Sequence, residues 1–261
     1  MIIHKHNKTT LRWLNDFPYD IDDCSIFDGI HPGTGQWLLN SDKFQSWYQA
    51  KGQTLLCLGI PGAGKTVMAA TIIGYINTHR QVNNLSHALG YVFFSFRYPS
   101  QQRTRNIVAS ILKQLAQQDR QLMQGLQTLY GRHSTRGTQP STREMVEILC
   151  SMSSDRQVYI VIDALDEIQS PMKGPTNFLS ELFRIQDATG LNILATSLFA
   201  PEIQKIFRER DGCSSLEILA TDEDVRSYIQ GNITSLPSSV TQDQAMMDSI
   251  LEDVPRAASG M

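Results

Sequence analysis

The chain has 261 residues, 41% of them hydrophobic and 19% charged, a composition that excludes disorder and supplies a sizeable core. Its 23 Lys and Arg against 26 Asp and Glu leave a formal charge of −3, which gives no bulk electrostatic grip on a polyanion, so no nucleic acid is expected as a partner. No apolar run reaches the roughly 18 residues of a bilayer span, none near the start resembles a secretory core, and the four cysteines, Cys24, Cys57, Cys150 and Cys213, lie far apart. These features point to a cytoplasmic protein without a membrane partner.

In chain order, the segment up to residue 32 reads as a lead-in, with a Gly-rich loop at 27–36 and a short helix over 41–48 that buries Phe44 and Trp47. Short apolar runs at 54–58, 91–96, 158–162, 192–196 and 216–219 then alternate with helical patterns at 65–76, 103–116, 144–151, 177–186, 201–208 and 222–229. Near-continuous apolar strands separated by helices predict an α/β fold: a mostly parallel five-stranded sheet with helices on both faces. Ser141 with Glu144, and Thr221 with Asp224, have the spacing of capping boxes at helix starts. Residues 131–140 lack hydrophobic period and read as an exposed connection, and 235–239 read as a linker. The expected division is a lead-in at 1–32, one P-loop unit at 33–234, and at 235–261 the start of a helical region that the chain does not complete.

The strongest local signal is Gly59-Ile60-Pro61-Gly62-Ala63-Gly64-Lys65-Thr66, which fits GxxxxGK[ST] in full and lies between a predicted strand and a predicted helix. A helix start presents unpaired backbone N–H groups and the positive end of its dipole to an anion. Gly62 and Gly64 free the backbone to approach that anion closely. Lys65 then reaches the β- and γ-phosphates, and Thr66 places a hydroxyl on Mg²⁺. Gly59, Pro61 and Ala63 complete the cradle.

The run Val158 to Ile162 ends in Asp163, the expected second Mg²⁺ residue, followed by Ala164, Leu165, Asp166 and Glu167. Hydrolysis needs a group that orients water. Many related ATPases place Glu immediately after the strand-end acid, where this chain has Ala164, so Asp166 and Glu167 are the candidates, and the sequence does not choose between them.

GIPGAGKT at 59–66 together with IDALDE at 162–167 resembles a NACHT domain, and more closely the nephrocystin-3-like amino-terminal module of fungal NOD-like and ankyrin-repeat proteins. GTGQWLL at 33–39, NILATS at 192–197 and DEDVRSYI at 222–229 agree with it. The resemblance implies a signal-transduction ATPase of the STAND type, in which ADP holds a closed monomer and ATP favours self-association. It also implies a role for Ser197 at the nucleotide and places 33–37 near it. Two departures stand out. Where the family commonly has Arg after TS, this chain has Leu198, for which Arg208 or Arg210 could substitute in space though nothing in the sequence shows it, and it stops at Met261 before any repeats.

Slow ATP hydrolysis and a non-hydrolysing, nucleotide-dependent interaction module therefore both remain open. A small-molecule kinase would need an Arg-bearing lid, for which Arg97, Arg103 and Arg105 are a weak match. A serine hydrolase lacks its GxSxG elbow. The scattered histidines, including His4 and His6, form no metal pattern.

Overall fold

Strands β1 (Thr54–Leu58), β2 (His87–Phe93), β3 (Gln157–Asp163), β4 (Asn192–Ser197) and β5 (Cys213–Glu217) form one sheet in the order β2-β3-β4-β1-β5, every pair parallel. The computed structural model describes residues 2–14, 27, 30–31, 33–82, 87–97, 102–152, 156–168, 174–232, 238–241 and 243–258. Cys24 and residues 235–237 of the expected linker lie outside them. The helices are α1 (Ile2–Leu14), α2 (Gln36–Leu39), α3 (Asp42–Gln49), α4 (Lys65–Val82), α5 (Thr104–Gln118), α6 (Arg120–Ser134), α7 (Thr142–Cys150), α8 (Gly174–Thr189), α9 (Pro201–Arg208), α10 (Asp222–Asn232), α11 (Ser238–Thr241) and α12 (Gln244–Ala258). Among the described residues no helix is long and apolar enough to cross a membrane.

The two-residue period of the strands splits the core in two. Leu56, Leu58, Ile160, Ile162, Ile193 and Ala195 face Ile107, Leu112, Leu115, Leu149 and Phe178 of α5, α7 and α8. Leu55, Cys57, Tyr159, Val161 and Leu194 face Phe44 and Trp47 of α3 and Met68, Ile72 and Ile76 of α4. Strands β1 and β4 are buried at every residue because helices cover both sides. Leu11 and Leu14 of α1 belong to the first cluster, so the amino-terminal segment contributes to the core.

Helix α6 occupies 120–134, so the first four residues of the expected 131–140 connection are its last turn. Leu122, Leu126 and Leu129 are its buried stripe. Strand β2 begins four residues earlier than the apolar run suggests. It includes Gly90, where a Cβ would sit 3.1 Å from Ile160 Cδ1, so glycine there permits close packing. Strand β5 starts three residues early, in Cys213-Ser214-Ser215, because only one of its residues is buried and an edge strand needs no apolar run.

Edge strand β2 is closed by side chains. Gln114 of α5 accepts from Tyr91 N (2.8 Å) and donates to Tyr91 O (2.8 Å), and Gln118 does the same for Leu89 (3.1 and 2.6 Å). Four helical residues rise about 6.0 Å and two strand residues about 6.6 Å, so two glutamines one turn apart match the repeat of a strand edge.

Candidate functional site

The loop from Gly59 to Gly64 joins β1 to α4. Gly62 (φ 82°) and Gly64 (φ 85°) take left-handed conformations that a side chain disfavours. At Gly59 the reason is space: a Cβ would lie 2.9 Å from Ile218 O. Gly59 N donates to Ser197 O at 3.2 Å, tying the loop to the end of β4. Lys65 Nζ donates to the loop's own carbonyls, Gly59 O (2.9 Å) and Ile60 O (2.8 Å), and so lies folded across the cradle. Burial lowers its pKa, while Asp166, Asp163 and Glu167 act in the opposite sense.

Asp163 ends β3 beneath the first turn of α4 and is only 3% exposed. Thr66 Oγ1 donates to its Oδ2 at 2.7 Å and Thr196 Oγ1 to its Oδ1 at 2.6 Å. Burial raises the Asp163 pKa, and the two hydroxyl donors and Lys65 oppose that rise. Thr196 also accepts from Ala164 N at 3.0 Å. Ala164 is the one non-glycine residue with positive φ among those described (φ 54°, ψ 51°), a conformation that costs about 1 kcal/mol. The turn it makes drops Leu165 into the core and sends the next two acids outward.

Those acids brace the neighbouring strands. Asp166 Oδ1 accepts from Leu198 N (2.9 Å), just past β4, and Glu167 Oε2 accepts from Phe96 N (2.8 Å), just past β2. β3 lies between those strands, so one short 3-10 turn ties down the exits on either side.

Ser197 is buried with no hydrogen-bond partner for Oγ, and its place in the strand turns that side chain away from the α4 face. Thr196, which the sequence reading did not single out, is the β4 residue that meets Asp163. Register would have found it, since parallel pairing sets Thr196 beside Asp163.

Neither Arg208 nor Arg210 takes the place of the missing arginine after Ser197. Arg208 bonds Gln204 on its own helix, and Arg210 pairs with Asp187 and sits over the Phe183 ring. Both lie ahead of the amino-terminal end of β5, whereas the phosphate loop leaves the carboxyl-terminal end of the parallel neighbour β1.

The segment expected near the nucleotide packs on α4 just beyond the phosphate loop. Gly35 (φ 72°) leaves no room for a Cβ, which would meet Met68 Sδ at 2.8 Å. Asp224 of α10 holds the segment by accepting from Gly35 N (2.7 Å) and Trp37 Nε1 (2.9 Å), and it also accepts from Thr221 Oγ1 (2.8 Å). His31 packs directly on Gly231, with Asn232 Nδ2 3.1 Å from its Nε2.

The profile of the nephrocystin 3 amino-terminal family matches residues 33–197, more than half of the chain, including the phosphate loop and the Thr66, Asp163 and Thr196 constellation. The chain belongs to the nephrocystin 3 N-terminal family. No curated protein matches it in a sequence search. Among solved structures it resembles Aeropyrum pernix ORC1 in complex with DNA (TM-score 0.52, 14% identity, 78% of this chain and 49% of that one). Drosophila ORC bound to DNA (0.48, 14%, 98% and 56%) and the replication initiator DnaA bound to AMPPCP and single-stranded DNA (0.46, 14%, 90% and 62%) also match. This chain spans about half to three fifths of the length of these structures. Family and fold, with the complete phosphate loop, support a nucleotide-binding, ATPase-like P-loop module.

One expectation is corrected here. The exclusion of nucleic acid on net charge does not stand, because a protein of the same fold, ORC1, is solved in complex with DNA. The physical error lay in averaging. Residues 43–143 of this nephrocystin 3 N-terminal chain hold twelve Lys and Arg and a single acid, Asp119, while the rest holds eleven against twenty-five. A net charge near zero describes neither part.

Proposed function

We propose that the chain is a nucleotide-controlled signalling switch that binds ATP and ADP with Mg²⁺ and hydrolyses ATP slowly. The observation that carries this is the Thr66–Asp163–Thr196 constellation at the mouth of a complete phosphate loop. The donor set fits the metal: a hydroxyl and a carboxylate are hard oxygens, and Mg²⁺ draws its remaining ligands from water and phosphate. When bound, it would neutralise charge on the phosphate oxygens. Lys65 leaves the carbonyls of Gly59 and Ile60 for the β- and γ-phosphates, and the N–H groups at the start of α4, from Gly64 to Thr66, face the anion. Asp166 and Glu167 each keep one carboxylate oxygen outside the hydrogen bond that braces a strand exit, and one of the two orients the attacking water.

A second reading, binding without hydrolysis, is favoured by Ala164 at the usual base position and by Leu198 where a cation would meet the γ-phosphate. Titration calorimetry with ATP, ADP and GTP in Mg²⁺ tests binding. The expected result is heat with an adenine nucleotide that disappears in Lys65→Ala. A folded wild-type chain that binds no nucleoside di- or triphosphate defeats both readings. Single-turnover phosphate release separates them, since bound ATP that persists without release leaves only the second.

A further inference from the structure

Helices α1, α5 and α6 form a layer on the sheet face opposite α4, with α5 over the β2 edge. Helix α1 carries Lys5, Lys8 and Arg12 and no acid, and residues 102–143 carry seven cations and Asp119 alone. Helices α1 and α6 run side by side in the same direction: Gln127 Nε2 donates to Asn7 Oδ1 at 2.6 Å, and Trp13 meets Tyr130 (5.2 Å) and His133 (5.9 Å). The acids next to α6 are consumed: Asp119 caps α6 through the N–H groups of Gln121 and Leu122 and pairs with Arg156 at 3.2 Å, and Glu144 caps α7 and meets His133 at 3.1 Å. Lys8, Arg12, Arg120, Arg132 and Arg136 are exposed and make no ion pair among the described residues. Between them on α6 stand Gln121, Gln124 and Thr128, polar and exposed.

We propose that this face binds the phosphodiester backbone of nucleic acid without regard to sequence. Cations interspersed with amide and hydroxyl donors are the groups that contact phosphates. From Arg120 to Arg132 the helix advances about 18 Å, a length of duplex that bears about ten phosphate charges. The large exposed apolar residues, Phe96, Phe199, Leu219, Tyr228, Met246 and Val254, all lie elsewhere. Among the described residues the face therefore lacks the exposed aromatic or aliphatic anchor that a protein interface or a membrane-surface helix requires. This inference goes beyond the nucleotide reading and does not rest on it, because the phosphate loop and α4 are on the other side of the sheet.

The test is fluorescence anisotropy of fluorescein-labelled 20-nucleotide single strands and duplexes of unrelated sequence with the full chain, from 50 to 200 mM KCl. All should bind with similar affinity, and affinity should fall with salt at a log–log slope of about −3 to −4.5, as four to five phosphate contacts dictate. The triple variant Arg120→Glu, Arg132→Glu, Arg136→Glu should bind at least about tenfold more weakly and flatten that slope by about 2 to 3. Arg132→Gln, a milder change on an exposed site, should weaken binding in the same direction, and unfolding curves verify that both variants fold. Lys65→Ala should leave oligonucleotide binding intact while removing ATP binding, so either reading can fail without the other. No anisotropy change at 50 mM KCl, equal binding by the triple variant, or tighter binding of polyglutamate or phosphatidylserine vesicles than of either oligonucleotide overturns the proposal.

Discussion

Thr196 has one hydroxyl and uses it twice, donating to Asp163 and accepting from Ala164 N. Thr196→Val keeps the shape and removes both bonds, leaving a buried carboxylate with one donor fewer and a turn without its tie. The expected cost is about 2 kcal/mol, or about 5 °C in Tm for a chain of this length. Weaker Mg²⁺-dependent nucleotide affinity should accompany it, and unchanged melting would show that Thr196 does not hold the acid. The contrast with Gly62 and Gly64 shows what was legible in the sequence. A phosphate loop must be spelled with residues that permit positive φ, so its letters reveal it. Thr196 acts only through the register between β3 and β4, and a threonine in an apolar run looks like any strand residue.

At the scale of elements, local chemistry was readable wherever it is local. The box at the start of α7 is present as spaced, with Ser141 Oγ accepting from Glu144 N and Glu144 Oε2 from Ser141 N. The bonds that Ser141 N and Ser141 Oγ donate to the Glu144 carboxylate, with a further one from His133, hold that carboxyl down to about 2. A depressed acid stabilises the fold above its unfolded value and loses that contribution as pH falls through its folded value. Glu144→Ala should therefore cost about 1 kcal/mol at pH 7, and the gap to wild type should close between about pH 4.5 and pH 2 in urea titrations. A gap independent of pH would mean that the ionised carboxylate is not the cap. Strands β1, β3 and β4 have readable bounds because burial on both faces makes them apolar throughout, whereas β5, an edge, and β2, which includes a glycine, are legible only with shifted starts. Helix α6 was missed because Gly125, Gly131 and a run of glutamines dilute a stripe that Leu122, Leu126 and Leu129 still trace.

Across the whole molecule, Asp224 joins segments 189 residues apart in sequence and draws α10 onto the loop that packs against the phosphate-loop helix. Asp224→Ala removes three accepted hydrogen bonds, two of them from that loop, for an expected loss of about 2 to 4 kcal/mol. Emission from Trp37 should shift to the red and unfold ahead of the rest. If Trp37 instead unfolds together with the core, the loop is held without this carboxylate. Nothing in the sequence announces the pairing, because Asp224 also reads as an ordinary member of a capping box, and the net charge likewise hides two unlike halves.

The glutamine pair on β2 has a consequence for crowded conditions. Among the described residues, with Gln114 and Gln118 filling that border, a neighbouring molecule can lengthen the sheet only beyond β5. Addition from a single side ends after one union, so mispaired copies stop at twos instead of polymerising into filaments.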